Sequence, residues 1–328
     1  MSDDARVYSY SAVLMGSPIL LKLFEHNEPL ASRVFHLIKQ YEDLLTVNRA
    51  QSQVMDINHA AGLHPVSVSR PVFELIKCAK AASLVPGGAF NLTIGPLVKR
   101  WKIGFKGDSV PPADDIAQLL TLTDAHNVLL DDTQSSVFLT RPGMEIDLGA
   151  IAKGYIADRV RDYLRKQGVT LGLINLGGNV QTLGSPEGGW SIGLKKPFAH
   201  DNALLGAIEV VNKSVVTSGV YERFFELDGR RYHHILDPRT GYPLDNELDS
   251  VTIIASESLD CDIWTTLIYG MGVEKGLQRC ANARTLKRYL SPNSGRSFSH
   301  RPDTTGLRCL MTITGLLCVL LKQAVLFR

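Results

Sequence analysis

Three short stretches of this 328-residue chain carry residues able to do chemistry. In "DCDIWTTLIYG" (260–270), Asp262 and Thr266 stand four apart, so on a helix they share a face. A carboxylate and a hydroxyl are both oxygen donors, and such a pair suits Mg²⁺ better than Zn²⁺. The competing reading is an acid near a helix start and a threonine bonded back to the preceding turn. In "DLGAIAKG" (147–154), an acid and a lysine flank small residues at the start of a helical pattern. Small residues let a ligand approach the backbone, a helix N-terminus attracts anions, and Lys153 adds a point charge suited to phosphate. The alternative is a helix capped by Asp147 and packed closely on a neighbour. Either way Gly149 and Gly154 need a reason, because glycine costs about 1 kcal/mol against alanine inside a helix. In "RYHHILDPRTG" (231–241), His233 and His234 fall on opposite faces of a strand, so they cannot chelate one metal together. At most one enters a site, and the other is expected to face solvent. "INLGGNV" (174–180), a strand ending in Gly-Gly-Asn, reads first as a turn. Neither the Walker spacing nor G-x-G-x-x-G occurs in the chain.

These residues need elements to hold them. Residues 7–25 alternate as one or two strands with "MGSP" (15–18) between them. Residues 28–47 are amphipathic, with Val34, Leu37, Ile38, Tyr41, Leu44 and Leu45 on one helical face. Polar 48–62 reads as a loop. Ser69 is expected to cap a helix with Pro71 in its first turn. "VPGGAFNLTIGPLVKRWKIG" (85–104) is broken by glycines and reads as a loop lining something, and "PPADDIAQLLTLT" (111–123) as a short helix. "NVLLDDTQSSVFLT" predicts a hairpin, "EID" a strand end, and the helix after Asp147 runs to about Gln167 with Gly168 as its stop. Strands follow in "LGLINLGGNVQTLG", "WSIGLKKP", "GAIEVVNKSVVTSG", "RFFELDG", "RYHHILD" and "SVTIIAS", and then a last helix over "LDCDIWTTLIYGMG". Hairpins mix with helices, and no βαβ unit or internal repeat recurs. The expected fold is α+β with a mixed or antiparallel sheet and packed helices.

Composition excludes little and divides the chain. The net charge is +2, which points to neither nucleic acid nor membrane as a partner. Residues 279–328, however, hold nine Lys or Arg and one acid, against 26 basic and 32 acidic residues in 1–278. The charges are therefore +8 and −6, and three of the five cysteines (Cys280, Cys309, Cys318) lie in the basic tail. We read 1–278 as one domain and 279–328 as an atypical C-terminal segment, either divergent or of altered reading frame. The N-terminal residues lack the basic and long apolar regions of a signal peptide, and the scattered cysteines fit reduced thiols, so a cytoplasmic location is expected. The apolar run 309–327 approaches the length of a membrane span, but Lys322 interrupts it and Gly315 weakens it as a helix. No span is expected.

Each motif is weak alone, but their order is specific. "GGAFNLTIGPLVKRW", "EIDLGAIAKGYIAD", "INLGGNV", "VVTSGVYERFFELDGRRYHHILDPRTGYP" and "DCDIWTTLIYGMG" together resemble the ApbE family of FAD:protein FMN transferases, from about Tyr8 to Gly276. The resemblance implies a Mg²⁺-dependent enzyme with FAD as substrate. Such an enzyme moves the FMN half onto a threonine or serine hydroxyl of an acceptor flavoprotein and releases AMP; some members hydrolyse FAD instead. Carried onto this sequence, it implies FAD contacts from Met15, Ala89, Phe90, Asn91, Asp147, Lys153 and Ile235. Its implied metal ligands are the carbonyl of Ala150 and the side chains of Asp262 and Thr266. His234, in the family's histidine position, is then either the base for the acceptor hydroxyl or a flavin contact, with a carboxylate as base. The chain departs from the family pattern at Asn48, where a tyrosine is usual, at Asn91, where aspartate is common, and in its tail. A flavin-binding protein without catalysis is the reading from a different class.

Overall fold

The computed structural model of the chain describes residues 6–199, 203–281, 310–313 and 316–322. The N-terminal alternation folds as β1 (Tyr8–Leu14) and β2 (Ser17–Leu23), joined by the two-residue turn Met15-Gly16. Both turn residues have positive φ, 51° and 64°, the conformation whose twist matches that of the flanking strands. The amphipathic segment is α1 (Glu28–Leu45), capped by Asn27, whose Oδ1 accepts the Leu30 N–H at 2.9 Å.

Four local expectations fail, each for a packing reason. The polar stretch after α1 contains a helix, α2 (Gln53–His59), with Ser52 Oγ accepting the Met55 N–H and Val54 and Ile57 buried. "EID" is not a strand: the side chain of Asn58 on α2 takes both backbone groups of Ile146, at 2.7 and 3.0 Å, and stands where a strand partner would. After β3 (Val66–Ser67) comes the expected helix α3 (Arg70–Ser83), but Ser69 makes no capping bond, its hydroxyl donating to Gln53 Oε1 instead. The glycine-broken segment read as a loop contains α4 (Gly95–Trp101). Gly95 is there because a Cβ would stand 2.9 Å from the Glu145 carbonyl oxygen, a close approach that resembles a helix breaker in the sequence.

The remaining elements follow the pattern: α5 (Ala113–Leu120), the hairpin β4 (Val128–Asp131) and β5 (Ser136–Leu139), and α6 (Gly149–Lys166), stopped at Gly168 with φ 81°. Strands β6 (Gly172–Leu176), β7 (Asn179–Leu183), β8 (Trp190–Lys195), β9 (Leu204–Val210), β10 (Ser214–Gly219), β11 (Phe224–Leu227), β12 (Arg230–His233) and β13 (Leu248–Ala255) come next. Helix α7 (Ser258–Ala281) breaks direction at Gly272, φ 74°, where the sequence pattern ends, and then continues. In the C-terminal segment β14 (Leu310–Ile313) and β15 (Leu316–Lys322) are strands.

The main sheet runs β1-β2-β6-β7-β10-β13-β15-β14, every neighbour antiparallel. Alternation along its strands feeds two cores. Ile174, Val216 and Ile253 point into the large core under α1, α3, α6 and α7, whereas Leu173, Val215 and Ile254 pack with Trp190, Leu194 and Val210 of the β8–β9 hairpin on the other face. A third cluster joins Leu97 and Trp101 of α4 to Ile116 of α5 and Leu236. No helix among the described residues is long and apolar enough to cross a membrane.

Helix α6 docks onto the start of α7 through a buried ion pair. Asp158 accepts from Arg161 Nη1 at 3.0 Å and from the Ser258 and Leu259 amides at 2.8 and 2.9 Å, and Arg161 also reaches the Ser256 carbonyl and Glu257. Removing one member of such a pair leaves a buried charge and two helix-start amides unmatched. Asp158→Ala is therefore expected to lose about 3–5 kcal/mol of stability in urea unfolding.

Candidate active site

Four segments meet where α6 begins. The first is the α6 N-terminal turn itself. Asp147 Oδ1 accepts the Gly149 N–H at 2.7 Å, so the carboxylate braces the turn that enters the helix, and Leu148 occupies the cap position. One turn later Gly154 N–H donates to Asp262 Oδ2 at 2.5 Å. In an α-helix that amide would serve the carbonyl of Ala150, four residues back. Ala150 stands one turn before Gly154 on α6, so in a regular helix its carbonyl points toward the same end of the contact that Asp262 makes. A Cβ at 154 would stand 2.4 Å from the Ser258 carbonyl oxygen and 2.6 Å from Asp262 Oδ2. The glycine exists so that α6 and α7 can touch.

The second segment is α7. Asp262 is buried, and its Oδ1 accepts from Asn179 Nδ2 at 3.2 Å. Burial pushes its carboxyl up to about 7, against the pull of the Gly154 amide and Asn179. Thr266 Oγ1 lies 3.5 Å from the Asp262 carbonyl, a long contact that leaves the hydroxyl available, while Thr265 makes the tight back-bond at 2.9 Å. The third segment comprises the turns β1–β2 and β6–β7. Lys153 Nζ reaches Ser17 Oγ at 3.1 Å, and a Cβ at Gly177 would stand 2.9 Å from the same Nζ. Burial lowers the lysine's pKa, and Glu222 and Asp262 pull it back up.

The fourth segment carries His234. Its Nδ1 lies 3.2 Å from the Arg223 carbonyl oxygen, which places the ring proton on Nδ1 and leaves Nε2 as the free acceptor. Burial, and then Arg223, push it down to about 4, so it is neutral at physiological pH. His233 does not face solvent as expected: it is buried, its Nε2 on the Leu244 carbonyl oxygen at 2.8 Å and its Nδ1 accepting the Ile235 N–H at 3.2 Å. The loop that follows is pinned by Trp101, whose Nε1 donates to the Gly241 carbonyl oxygen at 2.8 Å. Arg223 is near enough to act on the charge of Asp147, Lys153, Glu222 and His234 alike.

The ApbE family model matches residues 15–290. The chain belongs to the ApbE family. It is 72% identical over 284 residues to a FAD:protein FMN transferase from Klebsiella pneumoniae (strain 342), covering 87% of each chain. It is 37% identical to one from Treponema pallidum (strain Nichols), covering 82% of this chain and 80% of that one. Among solved structures, the ApbE protein of Thermotoga maritima superposes with a TM-score of 0.76 at 31% identity, over 86% of this chain and 92% of that chain. The flavin transferase ApbE from Vibrio cholerae gives 0.75 at 28% identity, over 85% and 91%.

Within this ApbE fold, Asp262 meets α6 near Lys153, Asp147 and Ala150 lie in the turn that enters α6, and Thr266 is one turn beyond Asp262 on α7, with Met15 partly buried in the β1–β2 turn. Ala89 and Phe90 are buried in the main core, and Asn91 spends its side chain on the Thr123 carbonyl oxygen and on Thr93. That segment packs against Leu267 and Gly270 of α7, next to Thr266, and what it offers a ligand is backbone and shape. Ile235 is likewise buried, beside His234, and Asn48 is exposed just beyond α1. Sequence reasoning missed Ser17, Glu222, Arg223 and Asn179. Only Asn179 left a trace, as a polar residue directly after a Gly-Gly turn. Among the described residues no cluster of three or more His, Cys, Asp or Glu side chains could hold a metal. The oxygen atoms that could serve a cation here are instead the Asp262 carboxylate, the Thr266 hydroxyl and the Ala150 carbonyl. That fits Mg²⁺, which takes one or two carboxylates and completes its shell with water and substrate phosphates.

Two outcomes are expected. Gly154→Ala should separate α6 from α7 and cost about 1–3 kcal/mol, whereas Gly206→Ala on β9, with nothing within 4 Å of its Cβ, should leave thermal unfolding unchanged. His233 has a folded-state pKa near 4, below its unfolded value of 6.5. The stability that its neutral ring contributes is fully present above pH 6.5 and is lost as pH falls toward 4. The stability advantage of the wild type over His233→Gln should therefore shrink by about 2–3 kcal/mol between pH 7 and pH 4, as read by urea unfolding.

Proposed function

We propose that this chain is a FAD:protein FMN transferase that uses Mg²⁺, modifies a threonine or serine hydroxyl of an acceptor flavoprotein, and releases AMP. The observation that carries the reading is the α6–α7 contact, where the Gly154 amide of α6 meets the Asp262 carboxylate near Lys153 on a family-matched fold. FAD joins FMN to AMP through a diphosphate, which repels nucleophiles by its charge. Lys153 would hold that charge from one side, at a helix start that itself favours anions. Asp262, Thr266 and the Ala150 carbonyl would hold Mg²⁺, which when bound withdraws charge from the diphosphate and orients it for in-line displacement.

The transfer itself balances simply. The acceptor hydroxyl oxygen attacks the FMN phosphorus, the bond from that phosphorus to the bridging oxygen breaks, and AMP leaves with that oxygen. The hydroxyl proton goes to a base, and Nε2 of neutral His234 is our candidate. All these residues fall within 1–278, which we take as the catalytic unit. The described thiols Cys78 and Cys261 are free, which suits a cytoplasmic acceptor.

Incubation with FAD, Mg²⁺ and a threonine-bearing flavoprotein, followed by mass spectrometry, should show one FMN adduct on the acceptor. Asp262→Asn should slow labelling by more than about 100-fold, and His234→Ala by about 10²–10⁴-fold. Free FMN without labelled acceptor would favour hydrolysis, FAD left intact in the presence of Mg²⁺ would favour a binding protein, and full transfer by His234→Ala with normal FAD affinity would remove His234 as the base.

A further inference from the structure

The Gly-Gly-Asn turn does more than reverse the chain. Gly177 and Gly178, both at positive φ (60° and 99°), form the two-residue link between β6 and β7, and Asn179 is the first residue of β7. Its side chain is buried between α7 and the sheet, as are Ser214, Ser258 and Asp262. Asn179 Nδ2 lies 3.2 Å from Asp262 Oδ1, and Asn179 Oδ1 lies 2.6 Å from Ser258 Oγ, which is 2.8 Å from Ser214 Oγ. An ionised carboxylate only accepts, so the amide must present its NH₂ to Asp262 and its oxygen to the serine hydroxyl. The Gly154 amide meets the other carboxylate oxygen. Each oxygen of Asp262 thus has one protein donor and retains a lone pair for something else. The carboxylate can neither rotate nor swing without breaking one of these bonds inside the core.

We infer that Asn179 is a positioning residue for the proposed metal site, holding the Asp262 carboxylate in its ligating orientation while Ser258 locks the Asn179 amide the right way round. The inference rests on the metal–diphosphate reading above. Asn179 touches neither metal nor substrate: it acts through Asp262. It also explains why an asparagine follows the glycine pair. A leucine of similar volume fills the space but donates nothing, and an aspartate places a second acceptor against the carboxylate.

The test measures metal binding without turnover. Mn²⁺ bound to the full chain is counted by electron paramagnetic resonance in the presence of ADP, which supplies a diphosphate but no flavin to transfer. The wild type should bind one Mn²⁺. Asn179→Leu should weaken that binding by about 10- to 100-fold, the usual cost of losing a residue that orients a ligand. Ser258→Ala, which keeps the asparagine and frees its amide to turn, should weaken it by about 2- to 10-fold, the equivalent of one hydrogen bond. Both variants should keep their adenosine-diphosphate affinity in the absence of metal, which general loss of structure would not. If Asn179→Leu is too unstable to purify, Ser258→Ala alone decides. Unchanged Mn²⁺ affinity in a folded variant overturns the positioning role. Failure of the wild type to bind Mn²⁺ with ADP overturns the metal–diphosphate reading instead, and the two failures are separate.

Discussion

Everything in the candidate site depends on one hydrogen bond between two helices, from the Gly154 amide of α6 to Oδ2 of Asp262 on α7. A backbone N–H can reach a side chain on a neighbouring helix only if the helices touch with no side chain between them. Gly154 provides that, and the Ser258 carbonyl and Asp262 occupy the space that a methyl group would need. The consequence is a buried carboxylate held beside a helix start, with a lysine nearby. Burying a charge this way is unfavourable, and the carboxyl's upward shift to about 7 expresses the residual cost. Unlike Asp158, which is matched by the Arg161 guanidinium, Asp262 is held by the Gly154 and Asn179 amides, which marks it as a candidate functional group.

The rest of the architecture keeps that contact in register. Asp158 and Arg161 clamp α6 to the first turn of α7, about one turn along α6 from the Gly154 contact, with Asp158 accepting the Ser258 and Leu259 amides. Beneath them the antiparallel sheet presents two turns, Met15-Gly16 and Gly177-Gly178, to the same end of α6, where Ser17 and Gly177 abut Lys153. The third core holds the histidine loop: Trp101 stacks on Tyr232 and bonds to the Gly241 carbonyl, so α4 fixes the segment that carries His234. Helix α4, read from sequence as a loop, is therefore part of what positions the site.

The family, the α+β class and most strands were legible in the sequence. Alternation survives in the chain because sheet faces must meet different cores. Asp262, Thr266, Lys153 and Ala150 could be named from helical spacing and family resemblance. Local signals failed where a tertiary contact replaced a local one. Asn58 substitutes for a strand partner, Gly95 marks a close approach to Glu145 rather than a break, and His233 finds its acceptor in the Leu244 carbonyl rather than in water.

By itself the sequence determined which residue types and turn positions were available, because spacing along a helix or strand sets which side chains share a face. It could not say that Gly154 was for contact with α7, or that the asparagine after a glycine pair would meet a carboxylate 83 residues away. Those pairings join segments with no local relation, and only the packing of α6, α7 and β7 against one another brings their donors and acceptors within hydrogen-bond distance. The tertiary structure thus decided the orientation of Asp262, the tautomer of His234 and the company of Lys153, since each is set by partners distant in the chain.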